Sequence, residues 1–366
     1  MSEQSELARN QTASIIRTKI GEPILRQLQK GQVPELEILS RSMENVDFDE
    51  NAKLLKLGSK KTTRRMSKLS EIRPFMQTVL IANSIIEAKR EGQVVTLRDV
   101  YYANVSPMTG SSQKTLKSQE ESNVIIQDLE VMTGLLREQM GIIADAKGSL
   151  VGPLTIKSRG DVIPCSKQGD GAWSIPSMVD DVEFLDTSAK FVLVIEKGTA
   201  FQRLNYGRWW KKHNAIMVEG GGQPDRGTRR MVKRLNEELG LPVFVCCDAD
   251  PYGWHIYSVY RFGSMSLAYT FEMLACPKAR FIGISASDIY KYRIPKEGLL
   301  KAEKADLKRA EDMLKYPWFK DEFWQKELKL FLRRQQKSEI EALSRHSYKF
   351  LAETYLPDKL REHGVL

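Results

Sequence analysis

What this sequence lacks excludes several classes of protein. It has no run of 18 or more apolar residues, so no transmembrane helix is expected, and its first residues lack the basic, apolar and small-residue order of a secretion signal. Its four cysteines show no CxxC or cysteine–histidine ligand spacing, which argues against a zinc site and a disulfide framework. No GxxxxGK[ST] phosphate loop occurs. We therefore expect a cytoplasmic protein without its own ATP-binding loop.

Positive charge is in excess and is concentrated in one segment. The chain has 56 Lys and Arg against 47 Asp and Glu, and a net charge of +9. Residues 51–68 contain seven bases and no acid. A run of one sign that includes Ser, Thr and Gly is typical of a strand or flexible arm on a phosphate backbone, although a basic balance can also serve solubility alone. We expect Lys60, Lys61, Arg64 and Arg65 to contact the phosphates of a polyanionic partner.

Helical spacing of apolar residues recurs three times within residues 69–152. It covers 70–92, a short helix in "LRDVYYANV" with Thr96 as the expected N-cap, and 119–137. The segment "GIIADAKGSLVGPLTI" then predicts two short strands around a turn. Three helices and a β-hairpin are the order of a winged helix, a relative of the helix-turn-helix. Residues 1–68 are predicted to be an N-terminal extension, helical to residue 40 with breaks near Gly31 and Pro34, and then the basic arm.

The second half of the chain has a different pattern of predicted elements. Residues 153–187 are rich in Gly, Pro, Ser and Asp and are predicted to be a linker. In residues 188–366, buried strands such as "KFVLVIEKG", "NAIMVEGGG" and "LPVFVCCDADPYG" alternate with helices, which predicts a parallel sheet covered on both faces. The expected fold is a multidomain α/β protein in which a winged-helix domain precedes a parallel α/β domain.

Acidic residues end two of these strands. Glu196 follows the first strand, and Asp248 and Asp250 follow the third. The carboxyl ends of parallel strands meet at one edge of a sheet, where three carboxylates repel each other unless a cation is present. Hard oxygen donors favour magnesium. Separate helix caps would explain a lone DxD equally well, but a strand–Glu combined with a strand–DxD is more specific.

These motifs resemble a known family. "VLVIEKG" and "VFVCCDADPYG" are similar to the two acidic motifs of a Toprim domain, the magnesium-binding fold of topoisomerases and primases. With "GGGQPDRGTRR" and "DPYGWHIYSVYRFGS", the chain from about residue 65 onward resembles the A-subunit family of type IIB DNA topoisomerases (archaeal topoisomerase VI), whose relatives make meiotic double-strand breaks. "LRDVYYANV" resembles the catalytic-tyrosine segment. One departure is that no acid follows soon after the lysine in "EKGTAFQRL".

The resemblance implies a transesterification. A tyrosine oxygen attacks a DNA phosphodiester, forms a 5′-phosphotyrosyl link and releases a 3′-hydroxyl, so the break can be resealed. It also implies a homodimer, in which the tyrosine of one protomer meets Mg²⁺ held by Glu196, Asp248 and Asp250 of the other. A partner B subunit would carry the ATPase, giving an A2B2 heterotetramer in which ATP is bound by the B subunit. In a prokaryote such a protein is expected in the cytoplasm, associated with the nucleoid.

Helical phase separates the two adjacent tyrosines. At 100° per residue, Tyr101 lies with Leu97 and Val100 on the apolar side of the helix and is predicted to pack inward. Tyr102 lies on the polar side, one turn after Arg98, and an arginine there can hold the scissile phosphate and favour the phenolate. The family pattern places the nucleophile at the same second tyrosine. We therefore expect Tyr102 and Arg98 to be the catalytic pair.

Some alternatives stay open. Thr228 and Arg229, at the predicted helix start in "QPDRGTRR", are candidate phosphate contacts or, equally, an N-cap with structural ion pairs. The chain could also be a stand-alone break-forming protein that does not reseal, a non-catalytic winged-helix DNA-binding protein, or another Toprim enzyme such as a nuclease or primase.

Overall fold

A computed structural model describes residues 3–110 and 112–366, and the chain forms two units. The first unit combines residues up to 47 with residues 57–145, and the second combines 48–56 with 146–366. The predicted extension, 1–68, starts two residues before the described range. No helix within the described ranges is both long and apolar enough to cross a membrane.

The first unit is mostly helical. Its elements, with the β2–β3 hairpin at its boundary, are α1 Glu3–Ile16, α2 Glu22–Gln29, β1 Glu35–Leu39, β2 Val46–Asp49, β3 Leu54–Leu57, β4 Lys61–Arg65, α3 Leu69–Arg90, β5 Val95–Thr96, α4 Leu97–Asn104, α5 Gln119–Thr133 and β6 Ile142–Ile143. The helices α1, α3, α4 and α5 contribute to one apolar core that includes Ile16, Ile81, Ile85, Val100 and Leu129.

The three predicted helices of this unit are confirmed. The helix α4 begins with a capping box, in which the Thr96 hydroxyl accepts from the N–H of Asp99 and the Asp99 carboxylate accepts from the N–H of Thr96. This reciprocal cap satisfies two N–H groups that a short helix would otherwise leave unpaired. It fixes the start of α4, and therefore which side chains of "LRDVYYANV" face the core.

Two predictions for this unit are wrong. Residues 35–39 form strand β1 and not a helix, because Leu36 and Ile38 alternate with exposed glutamates in a period of two. The predicted hairpin after residue 141 does not form either. Strand β6 pairs in parallel with β5, whereas the next strand, β7 Ser149–Val151, belongs to the sheet of the second unit.

The second unit is an α/β body. Its remaining elements are β8 Leu154–Ser158, β9 Asp161–Pro164, β10 Trp173–Ser174, β11 Val182–Thr187, β12 Phe191–Ile195, α6 Gly198–Tyr206, α7 Trp209–His213, β13 Ala215–Glu219, α8 Arg226–Leu239, β14 Val243–Cys246, α9 Pro251–Phe262, α10 Phe271–Leu274, β15 Arg280–Gly283, α11 Ala286–Lys291, β16 Leu300–Lys301, α12 Lys304–Met313, α13 Glu322–Arg334, β17 Gln336–Lys337 and α14 Leu356–Glu362. Short 3₁₀ and π segments complete the chain at Arg17–Gly21, Met43–Asn45, Val179–Asp181, Met265–Thr270, Lys296–Gly298, Pro317–Phe319, Ile340–Arg345 and Leu351–Tyr355.

A six-stranded sheet forms the centre of the second unit, in the order β10-β7-β13-β12-β14-β15. The four strands from β13 to β15 are parallel, as the sequence predicted, and β7 joins β13 antiparallel. The strands β12 and β14 are buried along their whole length, which explains why their sequences are continuously apolar. Their carboxyl ends carry the predicted acids.

Residues 153–187, predicted to be a linker, contain regular structure. The strand β8 pairs antiparallel with β9 and β11 in a three-stranded sheet, and β10 extends the central sheet. In β8, buried Leu154 and Ile156 alternate with more exposed residues. The alternation of a strand was therefore present in the sequence. The segment nevertheless has the composition of a linker, because Gly, Pro and Asp form the tight turns between its short strands.

Candidate active site

The predicted acids lie at the carboxyl ends of two neighbouring strands. Glu196 follows β12, and Asp248 follows β14, which pairs with β12 in parallel. The backbone N–H of Asp248 donates to Oε2 of Glu196 at 3.0 Å. Asp250 is the N-cap of α9 and accepts from the N–H of Gly253 at 2.8 Å. The fold thus places Glu196, Asp248 and Asp250 at one side of the sheet, which we call the carboxylate edge.

A glycine permits the close packing at this edge. A Cβ atom added to Gly253 would lie 2.6 Å from the carbonyl oxygen of Asp248 and 3.0 Å from Oε2 of Glu196. The first distance is too short for a real side chain, and that neighbour is backbone that cannot easily move aside; the second is also unusually tight. The glycine of "DADPYG" is therefore required for α9 to begin directly against the carboxylate edge.

Burial raises the pKa values of all three acids, and the charge of a nearby carboxylate adds to the effect in each case. Burial, followed by the negative charge of Asp248, raises the pKa of Glu196 to about 8. Burial also raises the pKa of Asp248 to about 6, against the hydrogen bond from Ile340 and the charge of Lys197. For Asp250, burial and then the charge of Asp306 raise the pKa. A cation at this edge would relieve the cost of ionising these groups.

A segment remote in sequence closes over the carboxylate edge. The N–H of Ile340 donates to Oδ1 of Asp248 at 2.8 Å, and Ala249 pairs with Ser338 in an antiparallel bridge. The ammonium of Lys197 lies 3.3 Å from Oδ2 of Asp248, 3.0 Å from Glu339 and 3.4 Å from Glu341. No sequence signal pointed to residues 338–341, because they lie about 90 residues after Asp248 and about 140 after Glu196, and share no motif with them.

The oxygen donors of the carboxylate edge suit a hard divalent cation, although fewer than three of them are arranged to bind it directly. Within residues 3–110 and 112–366, no group of three or more His, Cys, Asp or Glu side chains is arranged to hold a metal ion directly. Asp248 is engaged through both oxygens, whereas Glu196 and Asp250 each accept hydrogen bonds from backbone N–H groups. Magnesium commonly uses only one or two carboxylates and keeps several waters. The residues therefore fit magnesium in chemistry, with fewer direct protein ligands than three.

The two adjacent tyrosines are on different faces of α4, in the first unit. Tyr101 is half-buried and packs on the apolar core, whereas Tyr102 is 64% exposed. Their rings contact edge to face, with centroids 5.1 Å apart. Arg98 is exposed, and among the residues that the structure describes it has neither a hydrogen bond nor an ion pair. The packing prediction is thus confirmed, and Tyr102 and Arg98 form an accessible pair of side chains on one helix face.

The acid-free basic run is paired with acids from other elements. The pairs are Lys53–Glu50, Lys56–Asp49, Lys60–Glu44, Lys61–Glu37, Arg64–Asp128, Arg65–Glu35, Arg65–Glu71 and Lys68–Glu71. Most of these pairs are exposed, and such pairs contribute little stability, so Lys60, Lys61 and Arg65 can exchange their partners for phosphates. Arg64 differs, because its side chain is only 15% exposed and it shares Asp128 with Arg41. Arg64 is held inside the first unit.

Arg229 is also buried. It lies in the first turn of α8, is 2% exposed, and its Nε and Nη2 atoms have no hydrogen-bond partner among the described residues. Burial, and then the charge of Arg226, lowers its pKa to about 10. Thr228 is fully buried as well, and Asp225 is the N-cap of the helix. In this conformation neither Thr228 nor Arg229 presents a surface to DNA.

The missing acid after Lys197 has a structural counterpart. Oε2 of Glu219, the last residue of β13, lies 2.9 Å from the position of a Cβ atom on Gly198. Glu219 is half-buried, and burial raises its pKa. A carboxylate of the neighbouring strand therefore occupies the space beside Gly198, at the start of α6.

Comparison with known proteins agrees with this geometry. Residues 191–360 match the family model for the Toprim domain of the topoisomerase 6 A-subunit/Spo11 family, residues 73–142 match "Type IIB DNA topoisomerase", and residues 147–188 match "All-beta domain in DNA topoisomerase VI alpha subunit". The chain belongs to the family of topoisomerase VI A subunits and Spo11. The Toprim match spans the carboxylate edge, and the all-β match spans the three-stranded sheet where a linker was predicted.

Named relatives cover nearly the whole chain. The A subunit of type 2 DNA topoisomerase 6 from Hyperthermus butylicus is 44% identical over 96% of this chain and 95% of the relative. The protein of the same name from Saccharolobus shibatae is 44% identical over 96% and 95%, and that from Pyrococcus abyssi is 39% identical over 94% and 92%. The Toprim domain is typically a metal-binding domain, which agrees with the donor set of the carboxylate edge.

Proposed function

We propose that this chain is the DNA-cleaving and rejoining subunit of a type IIB DNA topoisomerase. The observation that carries the proposal is that one chain of this family contains both an exposed tyrosine with a neighbouring arginine and a carboxylate edge. Tyr102 and Arg98 supply the first group, and Glu196, Asp248 and Asp250 supply the second. A reversible break needs both, because one group must hold the cut DNA end covalently and the other must stabilise charge on the phosphate.

In the proposed reaction, the Tyr102 oxygen attacks a DNA phosphorus atom. The bond from the tyrosine oxygen to phosphorus forms as the bond to the 3′-oxygen breaks, and the phenol proton leaves as the 3′-oxygen gains one. The number of phosphate ester bonds is unchanged, so the 3′-hydroxyl can reverse the reaction. Arg98, exposed and unpaired among the described residues, is proposed to bind a non-bridging phosphate oxygen and to favour the phenolate.

The carboxylate edge is proposed to hold Mg²⁺ through Glu196 and Asp250, with Asp248 in support. When bound, Mg²⁺ would supply positive charge against the non-bridging oxygens of the phosphate. Asp248 is already engaged by Lys197 and by the N–H of Ile340, so we assign it mainly to orienting the edge. Lys197 lowers the negative charge there when no cation is present.

We also propose the following assembly and domain assignment. The helices α3, α4 and α5, packed around one core, are proposed to be the helix-turn-helix part of a winged-helix domain that carries Tyr102. The chain is proposed to act as a homodimer on double-stranded DNA in the cytoplasm, near the nucleoid. A B subunit that binds ATP would complete an A2B2 complex. The curated relatives, which are named as A subunits of topoisomerase 6, support these proposals.

The test is a covalent trapping experiment. The chain and its B partner are incubated with supercoiled DNA, Mg²⁺ and ATP, then denatured, and the 5′ ends are examined for attached protein. We expect adducts from the wild type and from Tyr101→Phe, and none from Tyr102→Phe. Adducts that persist in Tyr102→Phe would overturn the assignment of the nucleophile.

A mixed-protomer experiment examines the dimer. Tyr102→Phe and Asp248→Asn chains are each expected to be inactive alone. If each strand is cut by the tyrosine of one protomer and the acids of the other, a mixed dimer retains one intact combination. We expect the mixture to recover single-strand nicking, and a mixture as inactive as its components would contradict assembly across the dimer.

A further inference from the structure

An arginine outside all the sequence motifs lies beside the carboxylate edge. Arg309, on α12, has its guanidinium carbon 4.2 Å from the ring centroid of Tyr252, a cation–π contact. Arg309 is half-buried, and Tyr252 is 42% exposed. Within the described part of the chain, the guanidinium of Arg309 has no hydrogen bond and no ion pair. Its N–H donors therefore have no partner among the described residues, while the guanidinium lies over the ring.

Two neighbours connect this arginine to the start of α9, the helix that Asp250 caps. Tyr252 is two residues after Asp250, in the first turn of α9, and α12 packs on α9. One turn before Arg309, Asp306 accepts from Lys337 at 2.8 Å, and the charges of Asp306 and Lys337 both act on the pKa of Asp250. Burial, and then the charge of Arg309, lowers the pKa of His255 to about 4, which places the guanidinium near the second turn of α9.

The acids near Arg309 are engaged with other groups. Asp312, on whose pKa the charge of Arg309 acts, pairs with Lys315 at 2.9 Å. Oδ2 of Asp306 accepts from Lys337 Nζ and from the N–H of Glu303, and Asp306 is 2% exposed. Oδ1 of Asp250 accepts from the N–H of Gly253 as the N-cap of α9. A guanidinium that is stacked on an aromatic ring keeps its N–H donors at its edges, where they match two oxygens of one phosphate. The N–H donors of Arg309 are therefore available to the oxygens of a ligand.

We propose that Arg309, supported by Tyr252, binds a backbone phosphate of double-stranded DNA beside the carboxylate edge. The proposal rests on the function proposed above and adds a DNA contact to it. A phosphodiester suits this place better than an acidic protein segment. It carries one negative charge and two non-bridging oxygens that a single guanidinium can bind, whereas several carboxylates would be repelled by Glu196, Asp248 and Asp250.

Binding of a fluorescent DNA duplex tests the contact without cleavage. All variants carry Tyr102→Phe, and affinity is measured by anisotropy over a range of salt concentrations with Mg²⁺ present. Loss of one phosphate contact should reduce the salt slope of log K by about 1, and the affinity by about eightfold at 0.1 M salt. We expect this from Arg309→Met. Tyr252→Leu should give part of the loss, and Tyr252→Phe, which keeps the ring, should give none.

A second arginine over an aromatic ring provides the control. Arg208 is also partly exposed and lies over the ring of Trp210, and it differs from Arg309 in a long, exposed ion pair with Asp170 at 3.7 Å. It follows α6 and precedes β13, so it lies at the amino-terminal edge of the parallel strands, opposite the carboxylate edge. Arg208→Met should leave affinity and slope unchanged. An equal loss from Arg208→Met and Arg309→Met would show a general charge effect and would overturn the proposal.

The outcomes separate this inference from the proposed function. If the wild type forms covalent adducts but Arg309→Met leaves affinity and slope unchanged, the phosphate contact is wrong and the function stands. If no adduct forms but Arg309→Met lowers affinity as expected, the contact stands and the cleavage function fails. A loss of binding to polyglutamate in Arg309→Met, without loss of DNA binding, would assign the arginine to an acidic protein partner and overturn the proposal.

Discussion

A buried carboxylate shared by two arginines gives the strongest stability prediction. Asp128, on α5, is 6% exposed and accepts hydrogen bonds from Arg41 Nε at 2.8 Å and from Arg64 Nη2. The side chains of Arg41 and Arg64 are 18% and 15% exposed. Burial, and then the positive charge of Arg41, lowers the pKa of Arg64 to about 10, so the two guanidiniums repel each other. Asp128 is the negative charge that balances them.

The substitution Asp128→Asn keeps the shape of the side chain and removes its charge. Two largely buried guanidiniums then lie near each other without the carboxylate of Asp128. Breaking a buried ion pair by removing one partner typically costs about 3–5 kcal/mol, because the remaining charge is left uncompensated. The bonds of Arg64 to Thr78 and of Arg41 to the carbonyl oxygen of Val124 remain, so we expect the lower end of that range.

The control is an exposed pair in the same unit. Glu37 on β1 and Lys61 on β4 are diagonal neighbours that form an ion pair at 2.8 Å, with side chains 61% and 58% exposed. Removing such a pair changes stability by about 0.5 kcal/mol or less. Glu37→Gln should therefore behave like the wild type, although its partner Lys61 belongs to the basic run that the sequence assigned to DNA.

Urea denaturation can follow the two units with different probes. All six tryptophans lie between residues 173 and 324, so their fluorescence reports the second unit. Far-UV circular dichroism includes the helices of the first unit. We expect Asp128→Asn to lower the midpoint of the dichroism transition, whereas Glu37→Gln leaves it unchanged. A loss of less than about 1 kcal/mol for Asp128→Asn would refute the buried-charge reasoning.

Three further predictions follow from burial and charge. Arg229→Met should raise the free energy of unfolding by at most about 3 kcal/mol. The reason is that the Arg229 guanidinium is buried without a described partner, and its pKa is lowered to about 10. A thermal melt that shows clear destabilisation would contradict this. The raised pKa values of Glu196, about 8, and Asp248, about 6, mean that the folded state binds these protons more tightly than the unfolded state. The stability that these protonated acids contribute is therefore complete below about pH 4 and is lost as the pH rises to about 8. The melting temperature of the metal-free protein should fall over that range. Added Mg²⁺ should restore the melting temperature near pH 8. Glu196→Gln should flatten the dependence of melting temperature on pH. An unchanged dependence would count against a raised pKa of Glu196. Tyr101→Ala should cost about 1–3 kcal/mol and Tyr102→Ala less than about 0.5 kcal/mol, since only Tyr101 packs on the core; equal losses by urea titration would show that the helix faces are misassigned.

Local patterns were sufficient for much of the fold. The helical spacing of apolar residues identified α3, α4 and α5, and Thr96 was identified as the cap of α4. Continuous apolar runs identified β12, β13 and β14, and the acids after them fell at one edge because parallel strands end on the same side. The different faces of Tyr101 and Tyr102 also followed from helical phase. Each of these depends on residues within a few positions of each other.

Only the tertiary structure decided how charges are used. The basic run contains no acid of its own, yet Asp128 and Glu37 reach it from other elements. Arg229 stands at a helix start that resembles a phosphate site, yet it is buried. Arg309, in a helix of mixed charge, keeps its donors available because Lys337 and the N–H of Glu303 already hold Asp306.

The physical reason lies in the range of the interactions. Periodicity and capping act over one or two turns, so the sequence determines them directly. Ion pairing, burial and the closing of residues 338–341 over Asp248 depend on contacts between residues tens of positions apart. The sequence by itself therefore determined which residues could react, and the tertiary structure decided which charges are already satisfied and which remain available to a ligand.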